Sequence, residues 1–333
     1  MRVAINGFGR IGRNVFKIIE QRPNLDVVAI NDLSDTERLA QLLKRDSVFG
    51  EFEGEVRARE EAIQVNGRNI QVTSIKDTGE LPWKEMEIDF VVESTGVFRH
   101  REDLEPHIDS GAEKVLLTVP PKDEIDAMVV MGVNEDSLDA DDRIISNASC
   151  TTNCLATMCK VAHDAFGIEE GLMTTVHGYT NSQNLLDKIH SKPRRARAAA
   201  ENIIPTTTGA AKAIGDVIPE LDGKLDGMAM RVPVPDGSIT DLVCRLSGSP
   251  SIDEINQAYQ EAANGELQGI MGYTEDPLVS RDIIGNPSSC VFDSGLTQET
   301  GDGFVKLLGW YDNEWGYSNR VVDLMTLAWK KSR

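Results

Sequence analysis

The 333-residue chain has no apolar run long enough to cross a bilayer as a helix. Its opening, MRVAINGFG, enters an apparent strand at once, so no secretory leader is expected. Cysteine is scarce: five residues, an odd number, without disulfide-scaffold spacing, which fits a reducing compartment. A soluble protein of the cytoplasm is expected. Cys150, Cys154 and Cys159 lack paired CxxC units and run into an expected helix, so no metal site is expected. Basic residues are outnumbered 34 to 54 by acids, giving a formal charge of -20. That balance argues against general binding to nucleic acid or anionic lipid. It suits a salt-adapted organism and equally an ordinary acidic surface serving solubility. Internal repeats and low-complexity linkers are also absent.

What is present is an ordinary globular composition, 40% hydrophobic and 26% charged, on a chain long enough for two domains. Arg2 to Asn6 reads as a strand running directly into Gly7, Gly9 and Gly12 of GFGRIG, and RNVFKIIEQ then has helical periodicity. Strand, tight turn and helix stand in the order that lets a backbone approach a pyrophosphate, with Phe8, Arg10 and Ile11 in the same turn. The next apolar run, Leu25 to Ile30, ends at Asp32, about 20 residues after Gly12, where a carboxylate accepts from ribose hydroxyls and repels a 2'-phosphate. NAD is therefore favoured over NADP. Asp89 to Glu93 reads as another buried strand, followed by Ser94, Thr95 and Gly96 in a loop suited to pass the cofactor. Val115 to Val119, Ala127 to Met131 and Ile144 to Ser146 continue a pattern of parallel strands separated by helices.

Near residue 150 the character changes. In SNASCTTNC, Cys150 stands at a loop before the apparent helix CLATMCKVAHDAF, where a helix N-terminus favours thiolate over thiol. His177, in TTVHGYT, reads as the end of a strand facing a cleft; the other histidines lie in charged, helical or basic loop surroundings. Thiol, imidazole and hydride acceptor together suggest oxidation of an aldehyde through a covalent thioester. The alternatives are a packed small hydrophobe for Cys150, a structural hydrogen-bonding role for His177 and a turn or cap role for Asp32. Ser149, Thr151, Thr180, Thr208, Gly209, Arg197 and Arg231 suggest two anion sites for a phosphate-bearing substrate, with Arg231 the foremost direct ligand. The arginines of Arg194 to Arg197 suit subunit-interface ion pairs equally well. Segments such as GMAMRVPV and SITDLVCRLSG predict a mixed, largely antiparallel sheet after residue 150.

Eight separated motifs then carry a resemblance across essentially the whole chain: INGFGRIGR, IND, SNASCTTNC, HGYT, RRARAAA, PTTTGAAKA, RVPVPDGS and WYDNEWGYSNR. The chain closely resembles the phosphorylating glyceraldehyde-3-phosphate dehydrogenase family. The resemblance implies an α/β protein, with a Rossmann-type NAD-binding domain at 1–149, an α+β catalytic domain at 150–317, and a helix at 318–333 packed back on the first domain. It implies oxidation of D-glyceraldehyde 3-phosphate to 1,3-bisphosphoglycerate, with Cys150 as nucleophile, His177 as acid/base residue and inorganic phosphate resolving the thioester. Thr180 and Arg231 then match the substrate-phosphate site, and Ser149, Thr151, Thr208 and Gly209 the attacking-phosphate site. Asn313 matches the ligand of the nicotinamide carboxamide, Tyr317 lies beside that ring, and a homotetramer is implied through a loop at 178–202.

Two departures stand out. Lys188-Ile189 replaces a Leu-Pro pair common in strict NAD-dependent relatives and could offer charge to a 2'-phosphate, against Asp32. Ser182 stands where an acid is often found. An erythrose-4-phosphate dehydrogenase that releases acid by hydrolysis, and a binding protein that has lost catalysis, are the alternative functions.

Overall fold

The computed structural model describes residues Met1–Arg333 as two compact units. One comprises Met1–Val129, Asp136–Ala148 and Ser318–Arg333; the other comprises Val130–Glu135 and Ser149–Tyr317. No helix is long and apolar enough to cross a membrane.

In the first unit the strand Arg2–Asn6 lies between Asp26–Asn31 and Phe90–Glu93, parallel to both. The order therefore reverses at its carboxyl end, the place where open parallel sheets bind ligands. Lys114–Leu117, Ile144–Ser146 and Ala127–Met128 extend the sheet on one side, all parallel. Strands buried on both faces read as continuous apolar runs, which explains FVV, KVLL and VAI. Beneath them pack Trp83, Ile88 and Leu104.

The strand expected at Val115 to Val119 runs from Lys114 to Leu117, and two larger features differ from the expected pattern. The strand expected to Met131 stops at Met128, because the chain turns at Gly132 (φ +80°), with Val130 N–H donating to Asn134 Oδ1. On the other side, Arg68–Thr73 pairs parallel to Asp26–Asn31, but Ala62–Val65 and Val56–Ala58 then add antiparallel to it. Asn66 and Gly67, both with positive φ, make the tight turn between Ala62–Val65 and Arg68–Thr73.

A polar row crosses this sheet at the ends of its strands. Glu93, Asn6, Asn31 and Thr73 are successive register partners. Asn6 Nδ2 donates to Glu93 Oε2 (2.5 Å), Asn31 Nδ2 to Asn6 Oδ1 (2.8 Å), and Thr73 Oγ1 to Asn31 Oδ1 (2.9 Å). Trp83 Nε1 donates to His107 Nδ1 (3.0 Å), which leaves the proton of neutral His107 on Nε2, facing Glu93 Oε2 at 3.2 Å. The other Glu93 oxygen accepts from the amide (2.9 Å) and hydroxyl of Thr95. A buried carboxylate is tolerated only with such a full set of donors.

The second unit is built on an eight-stranded, largely antiparallel sheet. Ile168–Gly178 runs parallel to Leu225–Val232 and antiparallel to Ser238–Leu246. Ile204–Thr207 lies outside Leu225–Val232, and Phe304–Tyr311 outside Ser238–Leu246. Strict alternation of buried and half-buried residues in Ser238–Leu246 gives one face to the helix Cys150–Phe166. Ser149 caps that helix by accepting from the Thr152 amide, and Gly167 (φ +73°) ends it.

Candidate active site

At the carboxyl end of Arg2–Asn6, Gly7 takes φ +88°, and a Cβ there would come within 2.7 Å of the Thr95 nitrogen. A Cβ on Gly12 would lie 2.3 Å from the Gly7 carbonyl oxygen. Gly9 differs, because its Cβ position has no atom within 4 Å. It precedes the helix Arg10–Ile19, whose start has neither a side-chain cap nor an acidic residue in its first turn. A helix start with open space above a bare glycine backbone fits a pyrophosphate. Arg10 pairs its guanidinium with Asp46 (2.8 Å) and Phe8 packs edge-on against Phe16, so these residues and half-buried Ile11 offer backbone rather than charge.

Asp32 accepts from the Phe8 amide (2.8 Å) and the Ser34 amide (3.0 Å), which fixes the carboxylate beside the glycine turn. Ser94 Oγ donates to the Gly7 carbonyl (2.6 Å), Thr95 is held by Glu93, and Gly96 is exposed with φ +70°. The loop after Phe90–Glu93 is thus tied to the glycine turn.

In the second unit Cys150 is the first residue of its helix, and its Sγ lies 3.5 Å from His177 Nε2. His177 and Arg231 are direct register partners on parallel strands, so their side chains share a sheet face. His177 Nδ1 lies 2.7 Å from the Gly178 carbonyl oxygen and 2.7 Å from Arg231 Nη1, which itself donates to the Gly178 oxygen at 2.9 Å. Nδ1 cannot donate to the carbonyl and accept from the guanidinium in one tautomer. Because Arg231 already has the Gly178 oxygen as acceptor, the Nδ1–H tautomer satisfies both donors and leaves the Nε2 lone pair facing the sulfur.

Burial pushes the Cys150 thiol up to about 11, while the Arg231 charge and the Thr151 hydroxyl and amide pull it down. Half-exposure of Cys150 and the helix N-terminus act in the same downward direction. Burial and Arg231 push His177 down to about 3. The resting pair is therefore thiol and neutral imidazole, with a base positioned to take the thiol proton. Beneath it, Tyr311 Oη joins the hydroxyls of Thr151 (2.9 Å) and Thr175 (2.7 Å), and the Tyr311 ring stands edge-on to His177.

The candidate anion ligands divide. Thr180, half-buried, shares a hydrogen bond with Ser182 Oγ (2.9 Å), and Arg195 Nη1 reaches the same Ser182 hydroxyl (3.4 Å). Thr208 and exposed Gly209 precede the helix Ala210–Val217, which has no side-chain cap from Gly209 and no acid in its first turn. Ser149 spends its hydroxyl on the Thr152 cap, and the Thr151 hydroxyl is turned to Tyr311.

Arg197 is another of the expected anion ligands. Its guanidinium is exposed and pairs with Asp187 at 2.8 Å. Arg195 instead bonds Thr206 Oγ1 (2.9 Å) and the Thr207 carbonyl, and its charge is felt by both His177 and Arg231. Nothing in RRAR separates these arginines; the packing of the loop against Ile204–Thr207 does. Exposed Lys188 is held only through its backbone.

Asn313 follows Phe304–Tyr311, and its Oδ1 accepts from Ser238 Oγ at 2.6 Å. Tyr317 is buried in the first turn of Trp315–Lys331. Beside Asn313, Asp312 accepts from the amides of Gly285 (2.7 Å), Glu314 (2.8 Å) and Trp315 (2.6 Å). Asp236 accepts only from the Gly237 amide (2.8 Å) and is in hydrogen-bond reach of Asp312. Two ionised carboxylates could not make that contact. Burial and the Asp312 charge hold Asp236 far above the usual carboxylate range, so Asp236 carries the proton and Asp312 the charge. Tyr311, Arg195, Ser238 and Asp236 had no sequence signal of their own beyond lying in or beside the motifs.

Residues 1–101 match the NAD binding domain of glyceraldehyde 3-phosphate dehydrogenase, and residues 149–313 match the C-terminal domain of the same enzyme. The chain belongs to the glyceraldehyde 3-phosphate dehydrogenase family. Among curated relatives, glyceraldehyde-3-phosphate dehydrogenase of Streptomyces coelicolor is 57% identical over 327 residues, 97% of each chain. Glyceraldehyde-3-phosphate dehydrogenase 2 of Streptomyces avermitilis is 56% identical over 326 residues, again 97% of each. Glyceraldehyde-3-phosphate dehydrogenase 1 of Bacillus subtilis is 53% identical over 332 residues, 99% of each. Family membership settles the cofactor as NAD, in agreement with the open Gly9 backbone and the fixed Asp32 carboxylate.

Proposed function

We propose that the chain oxidises D-glyceraldehyde 3-phosphate to 1,3-bisphosphoglycerate with NAD and inorganic phosphate, through a thioester on Cys150. The observation that carries this reading is the Cys150 sulfur at a helix start, 3.5 Å from an imidazole whose Nε2 is free to accept a proton. Bound NAD supplies the hydride acceptor. Cys150 Sγ adds to the aldehyde carbon as its proton passes by His177 to the carbonyl oxygen, forming a hemithioacetal. His177 Nε2 then takes the hydroxyl proton as hydride leaves, and the carbon becomes a thioester. A phosphate oxygen attacks that carbon, and the sulfur departs with its proton restored from His177.

Arg231 and Thr180 would hold the substrate phosphate, with Ser149, the Thr151 amide, Thr208 and Gly209 receiving the attacking phosphate and Arg195 replacing Arg197. The amides from Gly9 to Ile11 take the pyrophosphate of NAD, Asp32 its adenosine ribose, and Ser94 to Gly96 line its path. Asn313 takes the nicotinamide carboxamide, with Tyr317 beside the ring. In this reading 1–149 and the helix at 318–333 serve the cofactor, and 150–317 the chemistry. Association as a homotetramer is supported by exposed apolar side chains in the loop at 178–202, Leu185, Leu186 and Ile189, the last 98% exposed. We place this activity in the cytoplasm.

The test is NADH formation from the aldehyde with and without inorganic phosphate at matched salt and pH. Sustained turnover only with phosphate supports the reading; equal turnover without it favours hydrolysis and defeats the phosphorylating step.

A further inference from the structure

The Asn313 amide can present either of two faces to a ligand: an N–H donor or a carbonyl acceptor. Which one it presents depends on what holds the other, and the structure gives Asn313 one side-chain partner, Ser238. Ser238 is 1% exposed and opens the strand Ser238–Leu246, in register with Tyr311, two residues before Asn313. Its hydroxyl oxygen accepts from the Gly178 amide at 3.2 Å. Its proton therefore needs an acceptor, and Asn313 Oδ1 at 2.6 Å is the acceptor it has. With the amide turned over, the buried Ser238 proton would face an N–H group and lose its only acceptor. The orientation is thus fixed from behind, with Oδ1 turned inward and Nδ2 presented outward.

We propose that Ser238 is a positioning residue for the cofactor: it locks Asn313 so that Nδ2 donates to the carbonyl oxygen of the nicotinamide carboxamide. The proposal rests on the reading of Asn313 as the carboxamide ligand. The lock is continuous with the catalytic strand. Gly178 receives His177 and Arg231 on its carbonyl and gives its own N–H to Ser238, so a short hydrogen-bonded path links the acid/base imidazole to the cofactor anchor. A side chain at position 178 would disturb it, since a Cβ there would meet the Val234 carbonyl oxygen at 3.1 Å and Asp236 at 3.3 Å.

The test compares binding of NAD with binding of ADP-ribose, which lacks the nicotinamide, by calorimetry on the full-length protein and its Ser238→Ala, Asn313→Ala and double variants. Loss of one oriented hydrogen bond predicts NAD binding weakened about fivefold in Ser238→Ala. ADP-ribose affinity should stay within about twofold, which also reports an intact fold, and the double variant should bind NAD no worse than Asn313→Ala. Weakened NAD binding in Asn313→Ala with none in Ser238→Ala would overturn the role of Ser238 alone. Equal losses for NAD and ADP-ribose in Ser238→Ala would also overturn it, as a general structural effect. Unchanged NAD binding in Asn313→Ala would remove the reading of Asn313 itself, and this proposal with it.

Discussion

Arg231 Nη1 lies 2.7 Å from Nδ1 of His177, and its charge acts on both members of the thiol–imidazole pair. It lowers the thiol, favouring the sulfur anion, and lowers the imidazole, keeping the base unprotonated. Replacing it by neutral glutamine should move both titrations upward. Alkylation of Cys150 by uncharged iodoacetamide should then slow on the order of tenfold near neutral pH, the effect of a one-unit rise in the thiol. The full pH profile should move to the alkaline side, and an unmoved profile would count against the charge effect.

His177 contributes a pH-dependent stability of definite sign. Its folded value, about 3, lies below the unfolded one near 6.5, so the folded protein binds fewer protons in that interval. Stability is fully present above pH 6.5 and is lost as pH falls toward 3, by up to about 1.4 kcal/mol per unit. Urea unfolding of wild type and His177→Asn at pH 7 and pH 5 should show the wild type losing about 2 kcal/mol more on acidification.

The Asp236–Asp312 pair has the opposite sign. Asp236 is raised, so the proton it holds in the folded state stabilises most at low pH, and that contribution declines as pH rises. Asp236→Asn keeps an acceptor for the Gly237 amide and gives Asp312 a donor that does not titrate. It should raise the melting temperature at pH 8 and flatten its fall between pH 6 and 9. Asp312→Asn should lower it at every pH, because three backbone amides need that carboxylate. Identical behaviour of the two variants would contradict the placement of the proton.

The glycines of the first turn should separate folding from cofactor binding. Gly9→Ala places a methyl in open space, at a cost under about 1 kcal/mol for a helix-start position, yet it occupies the face assigned to the pyrophosphate. NAD affinity should fall at least tenfold with little change in melting. Gly12→Ala drives a methyl to 2.3 Å from a backbone oxygen and should destabilise the fold itself. Unaltered NAD affinity in folded Gly9→Ala would remove the assignment.

Strands such as Arg2–Asn6 and Ile144–Ser146 were legible to the residue, because continuous apolar runs between turn residues have one economical reading in a parallel sheet. The body of the cysteine helix was legible from CLATMCKVAHDAF, but the helix begins earlier, at Cys150 itself. The hairpin strands between Val56 and Thr73 were not, since VRA, AIQV and RNIQVT are short and mixed in polarity. At the site, chemistry-bearing residue types announced themselves, but the direction of a side chain did not. Thr151 turns inward to Tyr311, the charge of Arg195 rather than Arg197 is felt at His177, and Asp236 meets Asp312 because two strand ends lie side by side. Each is a consequence of pairing between segments far apart in the chain, which local patterns do not encode.

The polar row from Glu93 through Asn6 and Asn31 to Thr73 has a consequence for how the first unit assembles. Apolar strands slide past one another at little cost in burial, but moving one of these by a single residue would turn its polar side chain to the opposite face and strand it without a partner. The row therefore acts as an alignment key, admitting one pairing out of several that the apolar residues alone would accept. Glu93 in that key also grips Thr95, in the loop assigned to the cofactor. Sheet alignment and readiness to receive a nucleotide are thus one property of this unit, and a change that blurs the first loosens the second.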